Sequence, residues 1–289
     1  MSATPKTIQI FLPGGDPRGI RIAEITTRIV QVFEVPRSLL GDFLKMPESQ
    51  QVALYFLVGD SDDGSDPRVY VGQTGDLRAR LVKHNQQKDF WQRSLVLVSR
   101  TNSLTQTHAL YLEWHCLQAI KKAGRYVDEN GNDGSRPHTP APLEADCLEI
   151  YDTCRTLLST LGHPVFEPVA SGLQASGPRE EFRLTVSGTN GRGLYTSEGF
   201  VVLKGSTGRR ENSPTFSPAN QRFRARLVET GVMKEKATQV VFAKDHLFGS
   251  PSMAALALLG RTSNGWKEWK ADDGKTLEEL KRPSTGGDA

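Results

Sequence analysis

Cysteine is scarce in this chain: Cys116, Cys147 and Cys154 are the three among 289 residues. They follow no metal-ligand spacing and cannot complete an even disulfide framework, so neither a zinc ribbon nor a disulfide scaffold is expected. Cys116 lies in an apolar helical run, where a buried free thiol is the ordinary state. No stretch approaches the roughly 18 consecutive apolar residues of a membrane span, and the N-terminus has no apolar signal-peptide core. The expected setting is therefore the reducing cytoplasm, with no membrane partner. A GxxxxGK[ST] phosphate loop and a Rossmann glycine pattern are both missing, as are internal repeats and any paired acidic cluster suited to two metal ions. Net charge is slight, +3, and says little about partners of the chain as a whole.

The distribution of charge says more. Arg68 to Arg100 holds seven Arg or Lys residues against two Asp, and Lys204 to Arg226 holds six against one Glu. Such local excesses suit a polyanion, although many basic faces are only solvated. With 37% apolar residues the chain can bury at least one sizeable core, and its length suggests two or three domains.

Strands are expected at TIQIFL, within RIAEITTRIVQVFEV, at VALYFLVG, VYVG and SLVLVS, where β-branched and apolar residues run together. PRSLLGDFLKM reads as a short helix opened by proline. In DLRARLVKHNQ, Leu77 and Leu81 stack four apart on the core side of a helix, and Arg80 and His84 lie one turn apart beside them. HALYLEWHCLQAIKKAG is a longer helix closed by Gly124. ENGNDGSRPHTPAP reads as a loop, and LEADCLEIYDTCRTLLSTLG as a further amphipathic helix. Gly72 and Gly75 read as turn residues. Ser250-Pro251 fits a helix start, Gly260 its stop, and Asn264-Gly265 a turn with positive φ.

One carboxylate stands out by its surroundings alone. Glu113 sits within ALYLEWHCL, and an acidic group in so apolar a helical run is costly to bury unless it is paired, hydrogen-bonded or metal-bound. Partnership with Arg80 in a structural ion pair is the plainer alternative. His108 and His115 share a helix face, but no third ligand accompanies them and no zinc site is assigned.

ALY (53–55), YVG (70–72), Arg80 within QTGDLRARLVKH, and Glu113 within YLEWH together resemble the GIY-YIG nuclease superfamily. The first triplet departs from the name motif in two letters but keeps Tyr55. SPSMAALALLGRTSNGWKEWKADDGKTLEEL resembles a C-terminal domain of unknown function, DUF4357, and the flanks resemble a bacterial subgroup that carries it. The resemblance implies an α+β fold: a small antiparallel sheet flanked by helices, followed by a mixed α+β C-terminal region. The corresponding parts are an N-terminal strand and helix extension (1–50), a nuclease domain (51–135), a helical extension (136–167), a linker (168–180), a β-rich region (181–231) and a DUF4357-like module (232–282).

It further implies a divalent-metal-dependent endonuclease acting on DNA. Arg80 stabilises transition-state charge, and Glu113 is the single protein ligand of Mg²⁺ or Mn²⁺, hard cations that hold water. Tyr70 activates water, with Tyr55 orienting it; an ordinary phenol titrates near pH 10, so nearby positive charge is needed. His84 contacts phosphate or relays a proton. Arg78, Lys83, Asn130 or Asn132, and in the C-terminal module Arg261, Lys267 and Lys270, are the expected nucleic-acid contacts. Trp266 and Trp269 could stack on bases, with core packing as the alternative. The competing readings are a catalytically inactive nucleic-acid-binding protein and a nuclease acting on RNA.

Overall fold

The computed structural model describes residues 5–60, 66–132, 134–169, 180–186 and 188–282. Most of the expected linker (170–179), residues 61–65 and the last seven residues lie outside them. The chain divides into two compact units, 1–168 and 169–289, and its class is α+β.

In the first unit the strands are β1 (Ile8–Phe11), β2 (Arg21–Ile25), β3 (Val30–Pro36), β4 (Ala53–Gly59), β5 (Arg68–Thr74), β6 (Arg93–Ser99) and β7 (Val127–Asp128). The helices are α1 (Leu40–Phe43), α2 (Leu77–Gln87), α3 (Gln106–Ala123) and α4 (Ala141–Thr160). The strands form one sheet in the order β1-β2-β3-β6-β4-β5-β7, antiparallel except for the short β5–β7 pair. The sheet is wider than the small one expected. Residues 1–50 are not a separate extension, because β3 pairs with β6 along its whole length, from Val30↔Ser99 to Pro36↔Arg93. Nor is 136–167 separate: Cys147, Ile150, Cys154 and Leu157 of α4 pack in the same apolar cluster as Leu54, Phe56, Val69 and Val71 of the sheet and Leu112 and Cys116 of α3.

β4, ALYFLVG, is buried at every position. A strand covered on both faces must be apolar throughout rather than alternating. Leu54, Phe56 and Val58 face α3 and α4, whereas Ala53, Tyr55 and Leu57 face Leu77 and Leu81 of α2. That alternation puts Tyr55 under α2. The three cysteines are free and buried.

The second unit contains β8 (Glu181–Leu184), β9 (Gly191–Thr196), β10 (Gly199–Val202), β11 (Thr207–Arg209), α5 (Pro218–Glu229), β12 (Met233–Glu235), β13 (Gln239–Phe242), β14 (His246–Phe248), α6 (Pro251–Leu259), α7 (Gly265–Glu268) and α8 (Leu277–Lys281). These strands make a four-stranded sheet, β14-β10-β9-β8, and a three-stranded sheet, β11-β13-β12. Phe182, Phe200 and Val202 share one core with Val240, Phe242, Leu258 and Trp269, so the boundary expected near 231 falls inside a single folded unit. α6 begins as its sequence suggests, with the Ser250 side chain accepting from Met253 N and Pro251 at the first helical position, and it ends on Gly260 at φ 62°. Gly265 has a different reason: it is not at positive φ, but a Cβ there would lie 2.1 Å from the Pro251 carbonyl oxygen. Among the described residues no helix is long and apolar enough to cross a membrane.

Candidate active site

Asp76 caps α2 by accepting from Ala79 N at 3.0 Å, which sets the phase of the helix over the sheet. Leu77, Leu81 and His84 are then buried against the sheet, while Arg80 is half-buried at its margin. On the strands below, Tyr55 lies opposite Gly72 and Leu57 opposite Tyr70, so both tyrosines rise from the same sheet face. Glycine at 72 is required by space: a Cβ there would meet Tyr55 Oη at 2.3 Å and Cζ at 2.4 Å. Gly72 is therefore a strand residue over which a ring lies, and not the turn residue expected.

Four side chains converge. Tyr55 Oη is 2.8 Å from His84 Nε2. Arg80 donates from Nε to Tyr55 Oη at 3.2 Å and from Nη2 to Tyr70 Oη at 3.4 Å. The Tyr70 ring lies 4.9 Å from the His84 ring between centroids, and Lys88 Nζ stands 4.4 Å above it. Two cations thus flank Tyr70. Burial is the main cause that raises the Tyr55 phenol well above its ordinary range, reinforced by Tyr70 and partly offset by Arg80. Tyr55 is 0% exposed and its hydroxyl is held by its neighbours; Tyr70 keeps an open edge. His84 is 5% exposed. Its burial, together with the positive charges of Arg80, Lys88 and Lys83, lowers its titration to about 4, so it is neutral near pH 7. It sits behind Tyr55 as a hydrogen-bonding partner and is too enclosed for the phosphate contact considered for it.

Glu113 approaches the margin of β5 from the other layer. It lies on α3, half-buried, across the margin of β5. Its carboxylate accepts from the Gln73 backbone N–H and feels the charge of Arg80, yet burial prevails and raises its titration above the ordinary carboxylate value. One step along the same strand, the Asn130 side chain accepts from Val71 N at 2.9 Å and donates to Val71 O at 2.6 Å. The amide imitates a further strand, and the margin of β5 is satisfied in turn by β7, Asn130 and Glu113. Asn132 is exposed and makes no such contact.

Among the described residues no group of three or more His, Cys, Asp or Glu side chains could hold a metal, so they offer no all-protein cage. A lone, partly desolvated carboxylate that lacks a full ion pair does suit a hard cation that keeps most of its water. Lys83 is exposed on α2. Arg78 donates to the Leu44 carbonyl, on the side of the helix away from Arg80. His108 closes a capping box with Thr105 and His115 stacks on Tyr111. Lys88 and Gln73 were not singled out from the sequence; the i, i+4 spacing from His84 would have found Lys88, whereas nothing local marks Gln73.

Gly72→Ala forces the Tyr55 ring to move. Overpacking of this kind costs about 1–3 kcal/mol. The expected result is a lower melting temperature together with loss of whatever activity depends on the Tyr55–Arg80 contact; a fully active Gly72→Ala protein would contradict the packing argument.

In the second unit, Trp269 is 0% exposed and its Nε1 donates to Pro251 O at 3.1 Å, which makes it a core residue. Trp266 is half-buried beneath the Arg282 guanidinium, 3.6 Å from its ring centroid. Arg261 is paired with Glu268 at 2.9 Å and Lys267 approaches Glu278 at 3.9 Å; Lys270 is exposed. No curated protein matches the chain, and no solved structure does. Residues 182–281 match the family model described as "Domain of unknown function (DUF4357)". Residues 182–281, within the second unit, thus form a DUF4357 domain.

Proposed function

We propose that the first unit is a divalent-metal-dependent endonuclease of GIY-YIG type that hydrolyses DNA phosphodiester bonds, and that the DUF4357 domain selects the substrate. The observation that carries this reading is the meeting of Arg80 with both tyrosine hydroxyls at a half-open margin that Glu113 reaches from the opposite helix. The likeness to GIY-YIG nucleases rests on these residues themselves.

In this mechanism Arg80 is held in place by the hydroxyls of Tyr55 and Tyr70, so its remaining N–H groups present fixed donors to the non-bridging phosphate oxygens. Tyr70, with an accessible edge and two cations beside it, acts as the phenolate: it first gives its own proton to bulk water and then takes the proton of the attacking water. Tyr55, backed by neutral His84, positions Arg80 and Tyr70 and stays protonated. Glu113 would hold Mg²⁺ or Mn²⁺, which when bound supplies positive charge at the leaving 3′ oxygen. The Gln73 N–H fixes the carboxylate in that task.

The test is nicking of supercoiled plasmid with Mg²⁺ or Mn²⁺, comparing the wild-type chain with Glu113→Ala. Cleavage should fall to background in the variant while DNA binding is largely kept. Equal cleavage by Glu113→Ala would reject the role given to the carboxylate.

A further inference from the structure

The DUF4357 domain carries a buried cation. Arg224 of α5 is 5% exposed. Its guanidinium donates to Ala257 O at 2.9 Å, to Arg210 O at 3.4 Å, and to Arg209 O and Asn212 Oδ1 at close range. None of these partners is a carboxylate. A buried guanidinium is costly unless its donors are satisfied, and here three of the four acceptors belong to one short segment, 209–212. Arg224 therefore fixes that segment where it leaves β11.

The register of the three-stranded sheet shows what the segment presents. Thr207, Val241 and Lys234 lie in one row, and Arg209 lies opposite Gln239; Lys236 continues β12 and donates its N–H to Gln239 O at 2.8 Å. These residues share the outer face, since Gly208, Val240, Met233 and Phe242, which alternate with them, are buried. Arg209, Lys234 and Lys236 are exposed. Among the described residues none of the three has an ion-pair partner. The acidic residue of β12, Glu235, belongs to the opposite face and is taken up by Arg210 at 3.5 Å. A cleft of about 670 Å³ opens at the end of this sheet, lined by Arg209, Arg210, Thr238 and Gln239, with Glu211 as its one carboxylate.

We propose that this outer face and its cleft bind the phosphate backbone of nucleic acid, with Arg209, Lys234 and Lys236 as the phosphate contacts. The surface extends the nucleic-acid reading of the chain to a site away from Arg261, Lys267 and Trp266, which are engaged within the domain. Cations stand at both edges of a face two strand spacings wide, about 10 Å. The face has no aromatic side chain on which a base could stack, so it positions a backbone rather than reading sequence. Its one apolar residue, Val241, is half-buried. That leaves neither an anchor for a peptide nor an apolar side chain to enter a bilayer.

The experiment uses the full chain in EDTA and a labelled DNA duplex of about 30 base pairs, with anisotropy followed from roughly 50 to 200 mM salt. Arg209→Ala/Lys234→Ala/Lys236→Ala should weaken binding by about tenfold or more and make the log–log salt slope shallower by about 2–3, near 0.9 for each phosphate left without its cation. Lys234→Ala/Lys236→Ala, which leaves the Arg224-bound segment intact, should reduce that slope by about 2, and Lys275→Ala, at an exposed cation paired with Asp273, should change it little. An unchanged slope in the triple variant overturns the proposal, as does an equal loss in Lys275→Ala. So does a triple variant that keeps its DNA affinity while losing binding to phosphatidylserine vesicles. The nuclease reading stands or falls separately, on nicking by wild type against Glu113→Ala.

Discussion

Arg80→Ala is expected to lower single-turnover phosphodiester cleavage by about 10³-fold or more, the range seen when an arginine that stabilises a phosphoryl-transfer transition state is removed. Arg80→Lys should recover little. The reason lies in how the guanidinium is held. Nε is committed to Tyr55 and one Nη to Tyr70, an arrangement only a planar fork can satisfy while still presenting donors outward. The hydrogen bond to Tyr55 is also the largest cause that raises Arg80 above its ordinary titration, opposed by its partial burial. Its charge is thus permanent. An ammonium at this position could meet one hydroxyl but not both, and would leave Tyr55, which is buried at the sheet, short of a donor. DNA binding should change far less than cleavage, because the phosphate backbone meets many other cations. A lysine variant that cleaves at the wild-type rate would mean that a point charge suffices, and the positioning argument would fail.

Much of this was legible from the sequence, and the reasons differ from element to element. β4 could be found because a strand covered on both faces has to be an unbroken apolar run. α2 could be found because Asp76, Leu77 and Leu81 encode a cap and a packing stripe locally. The resemblance named Tyr55, Tyr70, Arg80 and Glu113, and the structure brings the first three into contact and sets the fourth within electrostatic reach of Arg80. What stayed hidden depends on contacts distant in sequence. The pairing of β3 with β6 joins segments some sixty residues apart, and neither segment announces its partner, so residues 1–50 read as an appendage. Gly72 looked like a turn because glycine usually marks one; its cause is a tyrosine ring from the neighbouring strand. Asn130 and Asn132 are indistinguishable in a polar loop, and only the backbone groups of Val71 separate them. The exposed cations of β11 and β12 are plain in the sequence as charges, but their common face depends on strand register that no spacing reveals.

The largest stability effect is expected at a residue that no sequence pattern marks. Glu34 of β3 is 0% exposed and gathers two guanidinium groups and an imidazole: Arg21 from the adjacent strand at close range, Arg93 at 3.2 Å, and His163 at 3.0 Å from the segment after α4. Arg21 also donates to Leu161 O at 3.2 Å. One carboxylate therefore ties β2, β3, β6 and the end of α4 together. Glu34→Ala removes this anion and leaves its partners facing one another in a partly desolvated site, a change that costs about 3–5 kcal/mol. For a unit of this size that is a fall of roughly 10 °C in melting temperature. Glu34→Gln keeps the shape and should cost less, so the difference between the two variants separates the loss of charge from the loss of packing. Burial by itself would raise the carboxyl, but the hydrogen bond to His163 and the charges of His163, Arg21 and Arg93 outweigh it and hold Glu34 below its ordinary value of 4.5. A carboxyl lowered on folding contributes its full stabilisation above the unfolded value and loses it as pH falls through the folded one. The stability gap between wild type and Glu34→Gln should therefore be constant from neutral pH down to about 4.5 and close below it, as followed by chemical denaturation of the first unit. A gap that widens in acid, or a Glu34→Ala protein that melts with the wild type at pH 7, would show that Arg21, Arg93 and His163 are satisfied without this carboxylate.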